Sequence, residues 1–132
     1  MEKSSILIFV VEDEVLLQHV LEDILVEAGF AVTQAFNGDE AIRMLDASNA
    51  NFRALITDVN LGSKVTGWDV ARHARQITHD LPVIYTTTAS AHDWTAMGVP
   101  KSVLLTKPYA AAQVVTAVSQ LLNAGQMQAT ND

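Results

Sequence analysis

The sequence predicts an α/β fold of three layers, a parallel sheet between two layers of helices, and three observations carry that prediction. Short apolar runs rich in β-branched residues recur along the chain, beginning with residues 6–11 (ILIFVV). Runs without polar alternation suit strands buried on both faces. After the runs come segments whose apolar residues recur at helical spacing, and this strand–helix alternation repeats five times. The third observation is scale. A chain of 132 residues with 49% hydrophobic content supplies one buried core and excludes intrinsic disorder.

The elements follow in order. Residues 6–11 are the first strand, too short for a helix. Val15, Leu16, Leu17, Val20, Leu21, Ile24 and Leu25 then recur at helical spacing, with Gly29 as the stop. Residues 30–36 read as a second strand closed by Asn37 and Gly38, and residues 39–47 as a helix with Ala41, Ile42 and Leu45 inward. Residues 54–57 form a short third strand before Asp58, and the stretch from Asn60 to Gly67 is a loop. A helix over 68–77 and a fourth strand over 82–87 come next. Residues 89–97 are ambiguous, with a short helix ended by Gly98 as one reading. Residues 102–105 make the fifth strand and 110–122 an Ala/Val/Leu-rich final helix. From Asn123 the chain is polar, and a frayed tail is expected.

Charge and composition exclude several functions. Eight basic against fifteen acidic residues leave a net charge of −7, which argues against a nucleic-acid binder and against docking on anionic lipid. Zero Cys excludes disulfides, thiolate metal sites and thiol catalysis. No segment reaches the roughly 18 apolar residues of a membrane span. The first apolar run meets Glu12-Asp13-Glu14 rather than a small-residue cleavage site, so a cytoplasmic address is expected. His19, His73, His79 and His92 lack metal-ligand spacing and read as surface or helix-flank residues.

In an open parallel sheet, ligands bind beyond the carboxyl ends of the strands. Those ends carry Glu12-Asp13-Glu14, Asp58, Thr87-Thr88 and Thr106-Lys107-Pro108, while the second strand offers no titratable group. Carboxylates brought together repel one another unless a cation joins them. Oxygen-only ligation suits a hard ion such as Mg²⁺. Lys107 could neutralise an incoming phosphoryl group, and Thr87 could hydrogen-bond one of its oxygens. Asp58 is the best placed nucleophile, standing alone at a strand end beside a flexible loop. Taken singly, each signal has a plainer reading. The acid triplet suits a helix N-terminus, Asp58 a turn, the threonines a strand, and Lys107 a solvated surface.

Taken together, Val11-Glu12-Asp13-Glu14, Asp58 with Asn60, Gly67, Pro82-Val83-Ile84 leading to Thr87, and Lys107-Pro108 resemble a bacterial response-regulator receiver domain. The resemblance spans nearly the whole chain, so residues 1–123 are expected to form the receiver and 124–132 a polar, disordered tail. It implies a flavodoxin-like (βα)5 fold with strand order 2-1-3-4-5. It makes Asp58 the phosphoacceptor, Asp13 a direct Mg²⁺ ligand, Glu12 a ligand acting through water, and the Asn60 backbone carbonyl a further ligand. Thr87 matches the switch hydroxyl and Lys107 the lysine that pairs with the phosphoryl group, in a Lys–Pro peptide that is usually cis. The implied donor is a phosphohistidine on a sensor histidine kinase or phosphotransfer protein. The implied output is a protein contact or phosphorelay, with a homodimer through the last helix region. Such a domain is not an enzyme, although it promotes its own phosphorylation and dephosphorylation.

The chain departs from the family pattern in several places. Leu104 stands where a Tyr or Phe gate is common, leaving Tyr85, Trp94 or Tyr109 as stand-ins, and Thr88 follows the switch position where Ala or Gly is usual. The loop after Asp58 is longer than usual, with Gly62 where Pro is common, and the fourth crossover is shorter. These features fit single-domain receivers better than the flagellar-motor type. An interaction module that never takes up phosphate is the alternative. A flavin carrier of the same fold is disfavoured, because the acid triplet would repel its phosphate. A haloacid-dehalogenase-type phosphatase would want a DxD pair after its first strand, which this chain lacks.

Overall fold

Successive side chains of a strand point to opposite faces, and in β1 (Leu7–Val11) both faces are buried. Ile8 and Val10 enter one hydrophobic cluster, Phe9 and Val11 another. The computed structural model describes residues 6–47 and 51–130. Four further strands, β2 (Ala31–Ala35), β3 (Phe52–Asp58), β4 (Val83–Thr87) and β5 (Val103–Thr106), join β1 in one sheet of order β2-β1-β3-β4-β5, every pair parallel. The helices between and after them are α1 (Val15–Glu27), α2 (Gly38–Ala47), α3 (Gly67–Ile77), α4 (Trp94–Met97) and α5 (Ala111–Thr130).

The two clusters are the two helical layers packed on the sheet. Leu21 and Leu25 of α1 and Val114, Ala117 and Val118 of α5 cover Ile8, Val10, Ala54, Ile56 and Ile84. On the other face, Ala41 and Leu45 of α2 and Trp68, Val70, Ala71 and Ala74 of α3 cover Phe9, Val11, Leu55, Val83 and Tyr85. Each large aliphatic or aromatic side chain buried this way contributes on the order of 1.5–3 kcal/mol.

Local signals set the boundaries. Gly29, at φ 101°, ends α1 with paired bonds, its N–H to Val26 O and the Phe30 N–H to Leu25 O. That geometry needs a left-handed residue, which Gly adopts without strain. The Asn37 side chain caps α2 by accepting the Glu40 N–H at 2.8 Å, and the Glu40 carboxylate accepts the Phe36 N–H at 2.7 Å. Thr66 and Asp69 form a reciprocal capping box on α3.

Two readings from the sequence, those of α1 and of the final helix, need adjustment, and the stretch left open after β4 takes its short-helix reading ended by Gly98. In α1, Val15, Leu16 and Val20 are exposed, whereas Gln18 is buried on the face of Leu21 and Leu25. The ambiguous stretch after β4 is a 3-10 turn at Ala91–Asp93 running into the short α4, which closes where the Gly98 N–H meets Trp94 O. The final helix does not end near Leu122. It continues to Thr130 through the stretch expected to fray, since Ala, Gln and Met favour helix and no Pro interrupts. Asn131 and Asp132 of that tail lie outside the described residues. Among the described residues, no helix is long and apolar enough to cross a membrane.

Candidate functional site

The chain leaves β1 for β2 on one side and returns to β3 on the other, so the order of the strands reverses between β1 and β3. At that reversal the two strands' carboxyl ends open a crevice. Into it come Glu12 and Asp13, which directly follow β1, and Asp58, the last residue of β3. Oxygens of these three carboxylates all lie within 4.8 Å of one another. Glu14 does not join them. It is exposed, and its backbone N–H donates to Glu12 Oε2 at 3.1 Å.

Lys107, just past β5, spans the acids. Its Nζ lies 3.0 Å from Asp58 Oδ2 and 3.2 Å from Glu12 Oε1. Its backbone N–H donates to Thr87 O at 2.8 Å, tying it to the end of β4. The peptide from Lys107 to Pro108 is cis.

Burial sets the charges. Glu12 is 1% exposed, and desolvation, with Asp58 nearby, raises its pKa from 4.5 to about 7 against the pull of the Glu14 N–H and Lys107. Desolvation raises Asp58 too, while Lys107 and the Asn60 N–H draw it partly back. Burial works against the charge on Lys107, yet Asp58 and Glu12 outweigh it and hold the ammonium above its usual range. Two carboxylates around one ammonium, with Asp13 open to solvent beside them, leave a surplus of negative charge that an added cation would relieve. The donor set is all oxygen, as a hard divalent cation prefers, so these residues fit Mg²⁺.

Glycines let the backbone close around the acids. A Cβ on Gly67 would sit 2.1 Å from the Asp58 carbonyl oxygen, so only Gly allows α3 to start against the end of β3. Gly62, at φ 68°, lies where a Cβ would be 3.3 Å from Asp13 Oδ2. The loop therefore passes close to the outer acid.

Thr87 is buried, and its Oγ1 accepts N–H bonds from Ala89 at 3.2 Å and Ser90 at 2.9 Å. Among the described residues no hydrogen bond links it to Asp58. Asn60 is exposed on the loop, and Thr88 is exposed beside Thr87. Of the suggested aromatic stand-ins, Tyr85 is buried against Trp68, with ring centroids 4.6 Å apart, and its hydroxyl accepts the Val99 N–H at 3.0 Å. Trp94 donates from Nε1 to Ser102 Oγ at 2.9 Å. The Tyr109 hydroxyl is buried and has no partner among the described residues, and desolvation with nearby Glu12 raises its pKa to about 12. Leu104 pairs with Tyr85 across β4 and β5 and packs against the α2–α3 cluster.

Sequence reasoning passed over Gln18. Its Nε2 donates to Glu12 O at 2.7 Å and to Ala35 O at 3.2 Å from a buried position. The signal was a polar residue on an otherwise apolar stripe, three and seven residues before Leu21 and Leu25. None of the four His lies in the acid cluster. His73 instead pairs with Asp46 at 2.6 Å, between α3 and α2.

The sequence model of the response regulator receiver domain matches residues 8–119. The chain belongs to that family. It is 30% identical over 120 residues to the transcriptional regulatory protein CusR of Escherichia coli strain K12, covering 89% of this chain and 52% of CusR. The chain thus spans about half the length of that curated relative. A response regulator receiver protein from Sinorhizobium medicae WSM419 superposes with a TM-score of 0.88 at 40% identity, covering 92% of this chain and 97% of that one. The receiver domain of sensor histidine kinase PA1611 from Pseudomonas aeruginosa PAO1, crystallised with magnesium in its active-site cleft, superposes with a TM-score of 0.78. At 22% identity, over 91% of this chain and 99% of that one, this second match speaks to the fold alone. The five-stranded receiver fold with order 2-1-3-4-5 is therefore the fold of this chain.

Proposed function

We propose that this receiver accepts a phosphoryl group on Asp58 from a phosphohistidine of a sensor histidine kinase or phosphotransfer protein, in a Mg²⁺-dependent reaction, and signals through protein contacts or a phosphorelay. One observation carries the reading. Asp58, 7% exposed, stands at the crevice with Lys107 Nζ 3.0 Å away and the oxygens of Glu12 and Asp13 within 4.8 Å.

Asp13 and Asp58, with the Asn60 carbonyl, would hold the cation directly and Glu12 through water. When bound, Mg²⁺ supplies charge neutralisation for the phosphoryl oxygens. An Asp58 carboxylate oxygen attacks phosphorus and the N–P bond to the donor imidazole breaks, the imidazole, protonated from water at its other ring nitrogen, departing as the neutral base. Lys107, already beside Asp58, pairs with the negative charge that arrives. Thr87 would hydrogen-bond a phosphoryl oxygen once its hydroxyl turns toward Asp58. Loss of the group is attack of water on phosphorus, which returns the Asp58 carboxylate and inorganic phosphate.

The test is intact-protein mass after incubation with acetyl phosphate and with a phosphohistidine donor, with and without Mg²⁺, beside Asp58→Asn. A gain of one phosphoryl mass that requires both Mg²⁺ and Asp58 is expected. No gain from either donor would overturn the proposal in favour of an interaction module that works without phosphate.

A further inference from the structure

A buried side-chain amide is costly unless both its polar ends find partners, so where its hydrogen bonds go is informative. Gln18 lies in the second turn of α1, 5% exposed, and spends its donor on two main-chain carbonyls at the mouth of the crevice. One is Ala35 O, the last of β2, and the other is Glu12 O, the first beyond β1. The Glu12 N–H donates to the same Ala35 carbonyl at 3.2 Å. The Glu12 backbone is thereby held on both sides, its N–H by β2 and its C=O by the helix that follows it.

The consequence reaches the next residue. A peptide unit is planar, so fixing the direction of the Glu12 carbonyl also fixes the Asp13 N–H and the position of the Asp13 Cα. Asp13 is exposed, and among the described residues its carboxylate has no contacts like those that hold Glu12, whose oxygens meet the Glu14 N–H and Lys107. The place of the Asp13 carboxylate opposite Asp58 therefore depends on its backbone. We propose that Gln18 is a positioning residue for the acid cluster, which by clamping the Glu12–Asp13 peptide holds Asp13 at cation-binding distance from Asp58. This rests on the reading above that the three acids take Mg²⁺. Gln18 touches neither the cation nor the phosphoryl group; it acts through the main chain, as partners behind metal ligands do.

A merely structural Gln18 would affect stability and leave cation affinity alone, which separates the two roles. Calorimetric titration with Mg²⁺ on wild type, Gln18→Met and Gln18→Arg, with melting curves in chelator, makes the comparison. Met preserves length without a donor, and Arg places an N–H at the same atom along the chain. Folded Gln18→Met is expected to lose about tenfold or more in Mg²⁺ affinity, and Gln18→Arg to stay close to wild type. Met binding as tightly as wild type, or a folded Arg variant as weak as Met, overturns the inference. Should the Met variant fail to fold, Gln18→Ala, which also lacks the donor, takes its place in the same comparison with wild type and Gln18→Arg. Wild type that takes up no Mg²⁺ overturns the metal reading itself, a result distinct from equal binding by wild type and Met.

Discussion

Replacing Glu12 by Gln removes a carboxyl that is 1% exposed, and so tests whether burial governs the crevice. In the folded chain this group releases its proton only near pH 7, against an ordinary value of 4.5. The folded state thus binds the proton more tightly than the unfolded chain does. The stability this confers is fully present below pH 4.5, declines as pH rises through 4.5 to 7, and is gone above. A rise of that size corresponds to about 3 kcal/mol at most, a ceiling because Lys107 and Asp58 share the titration. Gln keeps the amide oxygen for the Glu14 N–H but cannot ionise. Urea unfolding in chelator at several pH values should therefore show wild type losing stability relative to Glu12→Gln between pH 4.5 and 7. Added Mg²⁺ should flatten the wild-type slope, since a divalent cation favours the ionised form. Parallel stability curves for the two proteins across that range would refute the reasoning.

Further predictions rest on other contacts. Gly67→Ala forces a Cβ to 2.1 Å from the Asp58 carbonyl oxygen; a loss of about 2–3 kcal/mol in urea unfolding is expected, and a change under about 0.5 kcal/mol would contradict the close approach. Tyr109→Phe deletes a buried hydroxyl that has no partner among the described residues, so stability should hold or rise by up to about 1 kcal/mol, whereas a clear loss would reveal a partner. Thr88→Ala trims the side chain next to Thr87. The phosphorylated protein should then lose its phosphoryl mass a few-fold faster, and equal decay rates would remove Thr88 from any role in access.

Much of this architecture is legible in the chain because its signals are local. Unalternated runs such as ILIFVV mark doubly buried strands, Gly29 marks a helix end, and the acids, Thr87 and Lys107 fall at strand ends. What escapes is whatever depends on which face of an element meets which neighbour. In α1 nearly every apolar residue sits at helical spacing, so pattern alone does not show that Leu16 is exposed and Gln18 buried. That outcome follows the backbone carbonyls of Glu12, just past β1, and of Ala35, the last of β2, which both accept from the Gln18 amide. The length of α5 escapes for a different reason: its extension carries Ala, Gln and Met, which favour helix, while its polar composition reads as a tail. At the site, the sequence brings forward the acids and Lys107 but is silent on where the Thr87 hydroxyl points.

That hydroxyl carries a consequence for motion. Thr87 Oγ1 is the acceptor for two main-chain amides, Ala89 and Ser90, in the first turn after β4. Turning it toward Asp58 leaves both donors bare at once, and bare amides near a protein interior are quickly re-satisfied by water or by a new backbone path. Side-chain rotation and loop solvation are thus coupled here. The loop is hinged to the hydroxyl like a trapdoor to its latch, so an event that draws Thr87 inward either brings water to the amides of residues 89–90 or redraws the surface they present outside.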